Sequence, residues 1–144
     1  MTVKVLLLTS KSWAGFNISP SLGLYNLKHS LQEYNINCDI HDFDVDDEQK
    51  LIDDVQSGKY DVIGMSVTHV NMSIDLNMLI KLNNSLPIGK DAIFVLGGQE
   101  ATLNYKQWLE SGVADICFLG FAEYTFSKFC YSIGKYINKF HNNK

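Results

Sequence analysis

At 144 residues and 46% hydrophobic content, the chain has the size of one compact domain able to fill its own core. Its 12 Lys+Arg against 16 Asp+Glu give a formal net charge of −4, which excludes the basic field that nucleic acid or anionic lipid would require. The opening run Val3 to Leu8 has neither the length of a membrane span nor the small-residue cleavage site of a signal peptide, so a cytoplasmic location is expected.

Short β-branched or apolar runs alternate with helix-period segments along the whole chain, the pattern of a parallel sheet covered on both faces. The first strand is expected over Val3 to Thr9. A loop from Ser10 to Ser19 follows, then a helix opening at Pro20 with Ser19 as its cap and Leu24, Leu27, Leu31 and Tyr34 on one face. A second strand runs from Cys38 to Asp42. Asp46 and Asp47 then open a helix carrying Leu51, Ile52 and Val55, which stops at Gly58.

The third strand, Val62 to Val67, is apolar except at Gly64 and Ser66 and reads as the most central one. A helix from Ser73 to Ser85 with Ile74, Met78, Leu79 and Leu82 cannot continue through Pro87. The fourth strand, Ala92 to Leu96, ends at Gly97 and Gly98, and a polar loop is expected to lead to a short helix from Tyr105 to Ser111. After a fifth strand, Ile116 to Leu119, comes a long helix with Phe126, Phe129, Cys130, Ile133, Ile137 and Phe140 on one stripe, and the end at 139–144 is expected to fray. The three cysteines, Cys38, Cys117 and Cys130, are too scattered for a disulfide framework or a metal cluster and read as small buried hydrophobes.

These units predict a single α/β domain over 1–144, with a flavodoxin-like (Rossmann-like) three-layer fold and a five-stranded parallel sheet of order 2-1-3-4-5. Ligands of such sheets bind outside the carboxyl ends of the strands at the topological switch, so the loops after Thr9, Val67, Leu96 and Leu119 should line the site. In the first loop, rich in hydroxyls, Ser10 and Trp13 are candidates. Trp13 and Phe16 either cover a flat ligand or fold back on the core, and the sequence does not decide between them. Strand alternation points Ser66 and Thr68 one way and Val67 the other. Buried hydroxyls there call for a partner, either a ligand or a neighbouring carbonyl. His69 has no accompanying ligand at a telling spacing and reads as a polar helix-entry residue. The glycine pair Gly97-Gly98 directly after a buried strand is the strongest local signal for close backbone approach. Gly120 and Glu123 open the last helix, where Glu123 also complements the positive helix end.

Taken together, Ser19-Pro20-Ser21-Leu22-Gly23-Leu24, Tyr60-Asp61-Val62-Ile63-Gly64-Met65-Ser66, Gly97-Gly98 with Ala101-Thr102, and Gly120-Phe121-Ala122-Glu123-Tyr124-Thr125 give the chain a recognisable signature. It resembles the cobalamin-binding domain that precedes the catalytic core in cobalamin-dependent radical SAM enzymes, whose last element reads Gly-Glu-Gly-Glu-x-Thr. The resemblance implies cobalamin as cofactor, its corrin ring on the carboxyl edge and its nucleotide tail in a slot beside the central strands. Ser66, Val67 and Thr68 would line that slot and Gly97 and Gly98 would border the ribose or phosphate. Ser10, Trp13, Pro20, Leu22, Gly23, Gln99, Ala101, Gly120 and Glu123 complete the implied binding set.

The Asp-x-His-x-x-Gly motif by which related domains ligate cobalt is missing between Ser10 and Gly23, so the resemblance implies base-off binding without a histidine ligand. The Cys-x-x-x-Cys-x-x-Cys cluster motif is missing too. The chain is therefore expected to be inactive alone and to serve as the cofactor module of a radical SAM methyltransferase-type enzyme, or of a separate catalytic partner. A flavodoxin-like FMN electron carrier is the alternative from Thr9-Ser10-Lys11-Ser12-Trp13-Ala14-Gly15, although several residues intervene before the helix. A degenerate protein-interaction domain is the other. A phosphoacceptor receiver is excluded because Ser66 and Leu119-Gly120 stand where its aspartate and lysine would be. A bulky residue at Gly98 is expected to weaken cofactor retention without unfolding the domain.

Overall fold

In the computed structural model, which describes residues 3–9, 22–41, 47–68 and 72–142, strand and helix alternate without exception. The elements are β1 (Lys4–Thr9), α1 (Leu22–Gln32), β2 (Asn37–His41), α2 (Glu48–Gln56), β3 (Val62–Ser66), α3 (Met72–Ser85), β4 (Ile93–Gly97), α4 (Gln99–Glu110), β5 (Ile116–Cys117) and α5 (Glu123–Asn142). The sheet is five-stranded, parallel throughout and ordered β2-β1-β3-β4-β5, as the pattern of βα units predicts.

Alternation along the strands divides the interior into a core on each face. Leu6, Leu8, Ile63, Met65, Phe94 and Leu96 pack on one side against Leu51 and Val55 of α2, Leu79 and Leu82 of α3, and Ala101 and Trp108 of α4. Val5, Leu7, Val62 and Val95 pack on the other against Leu24 and Leu31 of α1 and Phe126 and Cys130 of α5. No helix among the described residues is long and apolar enough to cross a membrane.

Two aspartates fix the amino edge of the sheet. Asp61 Oδ2 accepts from the Lys4 N–H at 2.9 Å while its carbonyl accepts from the Ile93 N–H at 2.9 Å. Asp115 Oδ2 accepts from the Phe94 N–H at 2.8 Å. A carboxylate on a backbone N–H is among the stronger hydrogen bonds in proteins, so these bonds help to hold the register at this edge. Asp47 caps α2 as the sequence implies, with Oδ1 accepting from the Gln49 N–H at 3.3 Å.

The main departure from the expected elements is at α4, which begins at Gln99, directly after the glycine pair, where a polar loop was expected. Gly98 takes φ +98 and starts the helix, the Thr102 N–H donates to its carbonyl at 3.1 Å, and Ala101 is buried against the sheet. The irregularity sits instead at Asn104, whose φ of −122 and ψ of 31 kink the helix. β5 is shorter than expected, although the Phe118 N–H still donates to the Leu96 carbonyl at 2.8 Å. α5 continues through Asn142, into the segment expected to fray.

Cys38, Cys117 and Cys130 are all free thiols. Burial pushes the Cys38 and Cys130 thiols up to about 12, opposed at Cys38 by Lys28, and raises Cys117 in the same direction. Unfolded thiols ionise near their ordinary value of 9.0, so this burial stabilises the fold fully below pH 9.0 and the contribution fades as pH rises toward about 12. Thermal melts are expected to show that alkaline loss, and to show less of it in a Cys38→Ala, Cys130→Ala variant. An equal loss in both proteins would refute the assignment.

Candidate cofactor site

β3 contributes a glycine to the sheet face that α1 and α5 cover. Gly64 lies between Leu7 of β1 and Val95 of β4 in register, and a Cβ there would stand 2.8 Å from Leu7 Cδ2 and 3.1 Å from Val95 Cγ2. A side chain there would have to push aside the ends of Leu7 and Val95, which now close over the glycine. Two residues on, toward the carboxyl edge, Ser66 pairs with Gly97, so the same face again carries one small hydroxyl and no side chain at all.

A cavity of about 160 Å³ occupies this hollow. Leu7, Gly64 and Val95 form its floor, Leu24 and Leu27 of α1 and Phe126 of α5 its sides, and Phe118, Gly120, Phe121, Ala122 and Glu123 its outer end. Phe118 and Phe126 meet edge to face, 5.4 Å between ring centres at 84°. The space of about 160 Å³ is smaller than the few hundred Å³ of a whole-ligand pocket. Three glycines border it with nothing to fill their side-chain positions: a Cβ at Gly23, Gly97 or Gly120 would meet no atom within 4 Å. At Gly23 and Gly97 no positive φ demands glycine, which leaves room for a ligand as the feature they share. The Ser66 hydroxyl, half-buried on the wall, has no hydrogen-bond partner among the described residues and is free for a ligand nitrogen or oxygen.

One hydroxyl joins the two glycine loops. Thr102 Oγ1 donates to the Gly98 carbonyl at 3.0 Å and accepts from the Gly120 N–H at 2.9 Å, tying the start of α4 to the β5–α5 loop. Gly98 itself is constrained. With φ +98, a Cβ would lie 3.0 Å from the Val67 carbonyl oxygen and 3.1 Å from Ser66 Oγ. A bulky residue at Gly98 therefore strains the backbone, contrary to the expectation that the fold would be spared; Gly97 is the position where binding can be separated from folding.

Of the candidates read from the sequence, Gly23, Ser66, Gly97, Gly98, Gly120 and Glu123 come together on the cavity wall. Val67 points to the other face, buried with Leu8 and Met65, and its N–H donates to the Gly97 carbonyl at 3.0 Å. Thr68 is exposed, its N–H donating to Asp75 Oδ2 at 3.1 Å. Gln99 is exposed at the head of α4, and Ala101 is buried in the opposite core. Ser10, Trp13 and Pro20 lie outside the described residues, as do Phe16 and His69; Leu22 opens α1, and its side chain is likewise outside them. Sequence reasoning passed over Gly64, Phe118, Phe121 and Phe126 as site residues. A glycine inside a buried strand was the available signal for the first of these.

A second cavity of about 340 Å³ lies beside β2, but its polar groups bind one another: the Tyr60 hydroxyl donates to Asp39 Oδ2 at 2.7 Å and Lys59 pairs with Asp54 at 3.2 Å. Burial, then the Asp39 hydrogen bond, holds the Tyr60 phenol above its ordinary range.

Fold and cavity thus define a doubly wound domain with a glycine-lined hollow in one sheet face at its carboxyl edge. The B12 binding domain family matches residues 16–129, and the chain belongs to that family, which makes cobalamin its cofactor. Among solved structures it is similar to the cobalamin-dependent S-adenosylmethionine radical enzyme OxsB with aqua-cobalamin and S-adenosylmethionine bound (22% identity, TM-score 0.70, 93% of this chain and 19% of that one). It is also similar to the radical S-adenosylmethionine methyltransferase TsrM from Kitasatospora setae (14%, 0.77, 93% and 26%). A third likeness is to a cobalamin-binding protein from Desulfitobacterium hafniense (17%, 0.59, 89% and 57%). At these identities the likeness is one of fold, and the chain spans about a fifth to a quarter of the two enzymes. No curated protein matches it.

Proposed function

We propose that the domain binds cobalamin base-off, with the nucleotide tail in the cavity and the corrin ring on the carboxyl edge, and that no histidine of this chain ligates cobalt. The observation that carries this reading is the set of open glycine positions, Gly23, Gly97 and Gly120, around a mostly apolar hollow with the free Ser66 hydroxyl on its wall. An apolar slot of this size suits a flat benzimidazole base, and the backbone at Gly97 and Gly98 suits a close-lying ribose or phosphate. Among the described residues lining the cavity, none is a histidine. When bound, the cofactor supplies alkyl-transfer chemistry at cobalt. This chain's residues bind and orient it: Phe118 and Phe126 exclude water from the base, and Thr102 holds the two glycine loops at a fixed separation.

The role of the domain within a larger system is read as the cofactor module of a radical SAM methyltransferase-type enzyme, or of a separate catalytic partner. In support, the enzymes it resembles carry it as a fraction of their length, and its three scattered cysteines, Cys38, Cys117 and Cys130, do not make a cluster motif.

The test is direct. The purified chain is mixed with hydroxocobalamin, desalted, and its visible spectrum recorded, alongside cobinamide, which has the corrin ring without the nucleotide tail. Retained corrin absorbance in the base-off form is expected, with cobinamide held at least about tenfold more weakly because the cavity stays empty. Cobinamide retained equally well would remove the tail from the cavity. Retention of yellow flavin in place of corrin would overturn the reading altogether.

A further inference from the structure

We propose that Phe121 is a cofactor contact whose ring closes over the mouth of the cavity and packs on the nucleotide tail, governing how firmly the cofactor is held. The proposal rests on the reading that the cavity takes that tail. Phe121 lines the cavity, yet its side chain is 95% exposed. Other large apolar side chains are exposed on the described surface, Leu119 and Tyr124 beside it included, but Phe121 alone of them lines the cavity. A surface built for a protein partner would give these neighbours a common role; the geometry singles out the one that borders the slot.

Its position is fixed from both sides. The Gly120 N–H donates to Thr102 Oγ1 at 2.9 Å, and the Ala122 carbonyl accepts from the Phe126 N–H at 2.8 Å. Anchored neighbours hold the backbone at Phe121 on the rim of the cavity. On the cavity wall, Phe118 and Phe126 already meet edge to face at 5.4 Å. A flat aromatic base seated between that pair and Phe121 would take the third ring out of water and give it a π partner, both favourable.

Wild type, Phe121→Ala and Phe121→Tyr are titrated with hydroxocobalamin and with cobinamide, following the visible spectrum, with thermal melts as a folding control. Phe121→Ala is expected to weaken cobalamin binding by roughly tenfold or more and cobinamide binding by less than about twofold, with an unchanged melt because the ring is exposed. Phe121→Tyr is expected to keep wild-type affinity. Unchanged cobalamin affinity in Phe121→Ala overturns the proposal and leaves the tail reading standing. Equal loss for both corrinoids would put the ring on the macrocycle and also overturn it. A wild-type chain that does not hold cobalamin sinks the underlying reading instead.

Discussion

Replacing Gly97 by leucine is expected to weaken cobalamin retention by roughly a hundredfold or more while leaving the melting temperature close to that of the wild type. Gly97 ends β4 on the same face as Val95, outside the positive-φ region, and its added Cβ would meet no atom within 4 Å. Leucine therefore causes no strain, and it relieves the entropic cost of glycine in a strand. Its branched end enters a space of about 160 Å³ and takes up much of it. Gly98→Leu is the informative contrast. There the φ of +98 and the Val67 carbonyl at 3.0 Å predict loss of stability together with loss of binding. Desalted spectra and thermal melts of the two variants, side by side, check the claim; a Gly97→Leu protein that keeps its corrin would show that the cavity is not the binding slot.

Phe126→Ala carries the largest expected effect on stability. The ring is 2% exposed, packs in the core between α1, α5 and the sheet, and meets Phe118 at 5.4 Å. Truncation enlarges a cavity that already exists, so collapse around it is limited, and about 3–5 kcal/mol is expected to be lost. Against a total of roughly 5–15 kcal/mol that is severe. The melting temperature should drop by roughly 10 °C. A drop of only a degree or two would mean that the cavity wall is loosely packed in the free domain. Added cobalamin should restore part of the loss by mass action, provided the enlarged slot still binds it.

Most of the architecture was legible in the chain because strand alternation and helix periodicity follow directly from burial: β3 reads as the most central strand, and Asp47 and Pro87 mark real boundaries. The start of α4 was not. Gln99-Glu100-Ala101-Thr102 looks like a polar loop, yet Glu100 is 2% exposed and Ala101 fully buried, so tertiary packing and the turn at Gly98 decided it. The site was legible where glycine or a strand hydroxyl marked it, at Gly23, Ser66, Gly97, Gly98 and Gly120. It was opaque where apolar residues formed it. Phe126 sits on a stripe that is otherwise core, as Cys130 is, and nothing in a one-dimensional pattern distinguishes a ring that touches another side chain from one that borders a hollow. Val67 shows the complementary difficulty: it neighbours Ser66 in the chain, and the pleat sends it to the opposite face.

The aspartate bonds at one edge of the sheet have a consequence for how such a module can diverge. Asp61 and Asp115 clamp β1, β3, β4 and β5 at their beginnings, so part of the strand alignment is set away from the loops at the far margin. Exposed side chains on those loops, such as Phe121, can then change to suit a new corrinoid or a new neighbour while the constrained Gly98 and the Thr102 tie hold the scaffold beneath them.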